Sequence, residues 1–219
     1  MGKTIKTIDQ RNSIRIALLG CISSGKSTLL NGICVNQYED MKRKKTTMIP
    51  TVYKGSTNTI YRNKDEINRI KSKNKELNET FYDDSSKVLI TSETCKLHEN
   101  IIPMIENFID LPKGIFLDIY DIPGLNDPSS KPIYFQWVKD NFNEFDIIIN
   151  VCNIESGLNT TDEMDILNLI TDCIKNSIQD NRDILFVTAI NKCDEMEILE
   201  GDIPTLIDSE DLELQKQII

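Results

Sequence analysis

The sequence predicts an α/β fold, a mostly parallel sheet with helices on both faces. Three observations carry that expectation. An apolar run at residues 13–19 passes through a glycine-bearing loop into a helical pattern; further apolar runs lie at 115–120, 145–151 and 183–190; and helical patterns separate them. Strands that alternate with helices stack into a parallel sheet between helical layers.

The elements follow in order. Residues 1–12 form a polar lead, and residues 13–19 alternate before turning fully apolar, as a strand entering a doubly covered sheet does. Leu29, Leu30 and Ile33 recur at helical spacing over residues 27–35. Residues 37–51 are charged and polar, with Lys42 to Lys45 on the solvated side of a mobile loop and Pro50 breaking any helix. A short strand is expected at 51–53. Across 62–81, Ile67, Ile70, Leu77 and Phe81 share one face of a charged surface helix whose solvated side carries Lys71 to Lys75. The longest helical pattern is at 160–179, where Met164, Leu167, Ile170, Ile174 and Ile178 fall three or four apart. Tyr134 to Val138, with Trp137, reads as an inward-packing helix, and a last helix fits 207–218.

Composition narrows the function classes. Lys and Arg number 25 against 35 Asp and Glu, a net charge of −10, so no nucleic-acid partner is expected: phosphate neutralisation needs a basic face. The six cysteines form no C-x-x-C pair and His98 is the single histidine, which points to a reduced, cytoplasmic protein without a zinc site. Cys21 and Cys193 read as small apolar fillers, and His98 as a surface residue without a role. No apolar run approaches the ~18 residues of a bilayer span, and the N-terminus has no apolar signal core.

The chemistry lies in the loops after the strands. Gly20-Cys-Ile-Ser-Ser-Gly25-Lys26-Ser27 fits G-x-x-x-x-G-K-[ST] without a mismatch. Glycines let backbone N–H groups wrap phosphate at a helix N-terminus, Lys26 reaches the β- and γ-phosphates, and the Ser27 hydroxyl suits Mg²⁺. Asp121-Ile-Pro-Gly124 follows one strand, offering a carboxylate to Mg²⁺ and a glycine amide to the γ-phosphate. Asn191-Lys192-Cys-Asp194 follows another; the Asp194 carboxylate can accept both N1–H and the 2-amino group of guanine, a pair that adenine lacks.

This ordered set resembles the guanine-nucleotide-binding domains of the P-loop GTPases, and more narrowly those of the dynamin-like large GTPases. Ser23-Ser24-Gly25-Lys26-Ser27-Thr28-Leu-Leu-Asn31 is similar to the dynamin S-x-G-K-S-x-x-x-N start, and Thr46-Thr47-Met-Ile-Pro-Thr51 to their switch I. By its spacing to the proline Thr47 is the better candidate to close over Mg²⁺ and the γ-phosphate, with Thr46 second. The separation of 74 positions between Thr47 and Asp121 matches the long insertion that dynamin-like domains carry there. Asp121 to Leu125 resembles their D-[LIT]-P-G-[LM].

The resemblance covers about residues 13–195 and implies the three-layer P-loop GTPase fold, with a helical insertion between switch I and switch II. It implies GTP or GDP bound with Mg²⁺, and hydrolysis in which Lys26, Ser23 and Thr47 stabilise or position the reacting groups. Gly20, Ser23, Ser24, Gly25, Lys26, Ser27, Thr28, Gly124, Asn191, Lys192 and Asp194 would hold nucleotide; Ser27, Thr47 and Asp121 would hold the metal. A homodimer across the nucleotide face and association with a membrane stay open, as do a hydrolytically inactive interaction module and a GTPase of the septin-like or ribosome-assembly type.

The sequence also departs from the family pattern. Leu125 stands where Ras-like enzymes place a glutamine, and Ile22 stands where dynamins place a polar residue; neither side chain can orient a water molecule. After Asp194, 25 residues remain, so the domain read over 13–219 is expected to lack the usual last strand and helix and any stalk. The strand at 183–190 would then present an apolar edge.

Overall fold

Seven residues, Ser13–Leu19, make strand β1, and it is the axis of the sheet. The computed structural model describes residues 12–34, 36–39, 47–56, 64–81, 89–103, 114–156, 158–193, 197–198 and 206–207. After β1 come helix α1 (Lys26–Cys34), strand β2 (Thr51–Ser56), helix α2 (Lys64–Glu79) and strands β3 (His98–Pro103) and β4 (Phe116–Asp121). Helix α3 (Lys131–Asn141), strand β5 (Ile147–Asn153), helix α4 (Thr161–Gln179) and strand β6 (Leu185–Asn191) complete the main layers.

The six-stranded sheet has the order β3-β2-β4-β1-β5-β6. β4, β1, β5 and β6 are mutually parallel, β2 runs antiparallel to β4, and β3 extends the sheet parallel to β2. The mostly parallel sheet expected from the sequence is present, and the inserted segment contributes both a helix and an edge strand.

The sheet separates two apolar layers. Ile16, Leu18, Tyr53, Leu117 and Ile119 face Leu30 and Cys34 of α1 and Ile70 of α2. Ala17, Leu19, Tyr120 and Ile148 face Tyr134 and Val138 of α3 and Ile166, Leu169 and Ile170 of α4. Ala17, Leu18 and Leu19 have no exposed surface; burying each leucine side chain stabilises the fold by roughly 1.5–3 kcal/mol. α4 begins with a capping box: Thr160 Oγ1 accepts from the Glu163 N–H at 3.3 Å and Glu163 accepts in return from the Thr160 N–H.

Three expectations need correction. β3 was not foreseen; it carries a single apolar pair and ends in Pro103, which an edge strand tolerates because no further ladder bond is required of it. His98, read as a surface residue, is half-buried at the start of β3, and its Nε2 atom is enclosed without a partner. Burial, aided by Lys73, moves its pKa below the ordinary histidine value. Finally, Leu206–Ile207 (β8) pairs antiparallel with Glu197–Ile198 (β7), so Ile207 does not begin a helix. The rest of that proposed helix lies outside the described residues.

Candidate functional site

Gly20, Asp121 and Asn191 all stand at the carboxyl ends of parallel strands, the edge of an open α/β sheet where ligands bind. The antiparallel pairing of β2 with β4 sets Thr51 opposite Asp121, which brings the switch I candidate Thr47 to the same place.

The phosphate loop is held in a strained, interlocked form. Ser23 takes φ 63° and Lys192 takes the same φ, a left-handed conformation rare for residues with a side chain and concentrated at functional sites. Gly25 has φ 101°, and a Cβ added there would lie 1.8 Å from Asn191 Nδ2. That amide nitrogen donates to the Ser24 carbonyl at 2.9 Å, tying the loop after β6 to the loop after β1. Gly124 is required by a close approach of another kind, because a Cβ there would lie 2.3 Å from Ile22 Cγ1.

Lys26 is buried at the start of α1, its Nζ donating to the carbonyls of Gly20 at 3.1 Å and Cys21 at 2.7 Å. Ser24 is buried and its Oγ has no partner among the described residues, while Ser23 and Thr28 are exposed.

Three metal candidates converge on one carboxylate. Asp121 is fully buried; its Oδ2 accepts from Thr47 Oγ1 at 2.7 Å and from Ser27 Oγ at 3.2 Å, while its Oδ1 has no partner among the described residues. Burial raises the Asp121 pKa above the ordinary carboxylate value, opposed by Lys26 and by the two hydroxyl hydrogen bonds. An enclosed carboxylate oxygen without a donor, beside two hydroxyls, suits a hard divalent cation that takes oxygen ligands. Among the described residues, no group of three or more His, Cys, Asp or Glu could hold a metal ion.

The two departures have physical counterparts. Leu125 is fully buried in the core, turned away from any water, and its N–H donates to the Gly20 carbonyl at 3.2 Å. The Ile22 N–H donates to Asn126 Oδ1 at 2.6 Å, so a carboxamide does stand beside the phosphate loop, two residues after Gly124. Sequence reading missed Asn126, because that contact spans two loops far apart in the chain. It also left Asn31 without a role: Asn31 Oδ1 accepts the N–H groups of Tyr38 (2.9 Å) and Glu39 (3.1 Å), and its Nδ2 donates to the Glu39 carbonyl (2.9 Å).

Thr46 and the guanine-reading candidate Asp194 lie outside the described residues. All six cysteines are free thiols, and burial, with Glu163, pushes Cys21 up to about 11, which leaves it unreactive at neutral pH.

Strained phosphate loop, buried lysine and carboxylate-centred hydroxyl cluster at the carboxyl edge of this sheet define a G domain of the P-loop GTPase fold. Residues 16–201 match the model of the dynamin family, and the chain belongs to that family. An uncharacterized protein of Acanthamoeba polyphaga mimivirus is 25% identical over 193 residues, which cover 84% of this chain and 29% of that protein. Among solved structures, a chain of an oligomerised bacterial dynamin pair superposes with a TM-score of 0.51 at 20% identity, over 94% of this chain and 29% of its own length. Era in complex with MgGDPNP and part of 16S ribosomal RNA superposes with a TM-score of 0.48 at 16% identity, over 95% of this chain and 47% of that one. The chain thus spans less than half the length of each of these relatives. Among the described residues, no helix is long and apolar enough to cross a membrane.

Proposed function

We propose that this domain binds GTP with Mg²⁺ and hydrolyses it to GDP and phosphate. The observation that supports the reading best is the convergence of Ser27, Thr47 and Lys26 on and around the buried Asp121, with one carboxylate oxygen left open. Lys26 would leave the loop carbonyls of Gly20 and Cys21 for the β- and γ-phosphates, and the N–H groups opening α1 would cradle the β-phosphate. Ser27, Thr47 and Asp121 would hold Mg²⁺, which when bound neutralises charge growing on the β–γ bridge. Asn191 braces the loop against the base-binding segment, where the dynamin resemblance assigns guanine selection to Asp194.

In the reaction, a water oxygen forms a bond to the γ-phosphorus as the bond to the β–γ bridging oxygen breaks. Neither Ile22 nor the buried Leu125 offers a polar side chain to that water. A second copy docked across the nucleotide face would supply the missing group, and turnover per molecule would then rise with protein concentration. The same two residues favour the second reading, a domain that binds nucleotide without hydrolysing it.

Equilibrium displacement of a fluorescent GTP analogue separates these readings from others. GTP and GDP are expected to compete and ATP to fail; equal competition by ATP would remove guanine selection. GDP and phosphate release, followed by chromatography, then decides between enzyme and binding module.

A further inference from the structure

Both described ends of the switch I segment are gripped by a single helix, the α2 insertion. At the entry side, Asn74 Nδ2 donates to Glu39 Oε1 at 3.1 Å and to the Tyr53 hydroxyl at 2.8 Å, and Tyr53 donates to Glu39. The network is buried and reaches β3, where Asn100 Nδ2 donates to Asn74 Oδ1 at 2.9 Å. At the exit side, one helical turn later, Asn78 Oδ1 accepts the Met48 N–H at 2.9 Å. From the opposite side, the Tyr134 hydroxyl of α3 donates to the Met48 carbonyl at 2.6 Å.

Met48 is fully buried and directly follows Thr47. Its peptide groups are held from two helices while the Thr47 hydroxyl reaches Asp121. Asn74 and Asn78 stand four residues apart, and residues at that spacing share a helix face. One face of α2 therefore addresses both anchors.

We infer that α2 is the positioning element of switch I: Asn78, with Tyr134, fixes the Met48 peptide so that Thr47 is delivered to Asp121, and the insertion thereby sets how strongly the site prefers GTP over GDP. The inference rests on the nucleotide reading above, because Thr47 matters to that preference only if it meets Mg²⁺ and the γ-phosphate. Asn78 and Tyr134 are positioning residues and touch no nucleotide. A ligand that tilts α2 would alter this preference from outside the site, since α2 and the pocket share these bonds.

The test compares wild type with Asn78→Leu, Asn78→Asp and Tyr134→Phe in two measurements. In the first, affinities for fluorescent GDP and for a non-hydrolysable GTP analogue are titrated with Mg²⁺. Asn78→Leu and Tyr134→Phe should each weaken the GTP analogue by about five- to tenfold, the worth of one neutral hydrogen bond, and leave GDP within about twofold. Asn78→Asp keeps an acceptor oxygen and should restore the preference. A loss that falls equally on both nucleotides, or on neither, overturns the inference.

The second measurement is hydrogen exchange at the Met48 amide without nucleotide. Asn78→Leu should accelerate it at least about tenfold and Asn78→Asp should not. If wild type binds neither nucleotide, the proposed function fails, and the inference about GTP preference falls with it. Unchanged Met48 exchange in Asn78→Leu overturns the clamp whatever the nucleotide does. Thermal unfolding of each variant shows whether a loss of affinity is a loss of fold.

Discussion

The half of the site that would hold phosphate and the half that would read the base are built on different ground. β1, which launches the phosphate loop, is paired on both sides, by β4 and β5, and its last residues are fully buried. Among the described residues, β6, which launches Asn191, is paired by β5 alone, with Leu185 58% and Ile190 61% exposed. Among the described residues, the phosphate half is locked by a strand paired on both sides, the left-handed Ser23 and a buried carboxylate, whereas the base half rests on an edge strand, the left-handed Lys192 and the Asn191 carboxamide on Ser24. Under the proposed function, nucleotide affinity and nucleotide choice would depend on regions of unequal packing, and choice should fail first as the protein is destabilised.

The largest contrast is in stability itself. Leu18→Ala in β1 removes a fully buried side chain and should cost about 2–5 kcal/mol in urea unfolding, whereas Leu185→Ala in β6 should cost under about 0.5 kcal/mol. Similar costs at both positions would break the comparison. Next, Lys26→Ala should lower GTP affinity by about a hundredfold or more in the fluorescence titration, since the proposed cation–phosphate contact would be lost. Unchanged affinity would remove the phosphate loop from the site.

Asp121 gives a smaller, signed effect. Because burial raises its pKa above the unfolded value, ionisation costs more in the folded chain. Its favourable contribution is full below the ordinary carboxylate range and is lost as pH rises through the raised pKa. At neutral pH, Asp121→Asn should therefore raise the Tm of the ligand-free protein and erase stabilisation by Mg²⁺ with nucleotide. A fall in Tm would show that the hydroxyl bonds from Thr47 and Ser27 outweigh the burial. The smallest effect lies at the exposed edge, where Val187→Lys should reduce self-association in sedimentation while nucleotide affinity stays within about twofold.

Much of this was legible in the sequence because its signals are local. The apolar run of β1, the glycine-lysine loop and the helix behind it occupy consecutive residues, so pattern alone places them. The 160–179 periodicity likewise became α4, Thr161–Gln179. What escaped was non-local. Asn74 sits among lysines and glutamates and reads as solvated surface, yet it is buried against Glu39 and Asn100, which lie 35 and 26 residues away. Asn126 follows an apolar leucine in a turn, and nothing in its neighbours announces the Ile22 amide 104 residues earlier. β3 escaped because its buried positions, Asn100 and Ile102, alternate with exposed Glu99 and Ile101, and only one of the buried pair is apolar. The strand at 183–190 was legible and became β6, Leu185–Asn191, because near-continuous apolar residues mark a strand locally.

One further consequence follows from α3. Trp137 is the single tryptophan of the chain; it packs partly buried against the core, its ring 6.5 Å from that of Phe145 and one turn from Tyr134, whose hydroxyl holds Met48. An indole so placed is an intrinsic optical gauge. Its emission should change as the Met48 bond forms or breaks, giving a label-free record of switch movement in the unmodified chain.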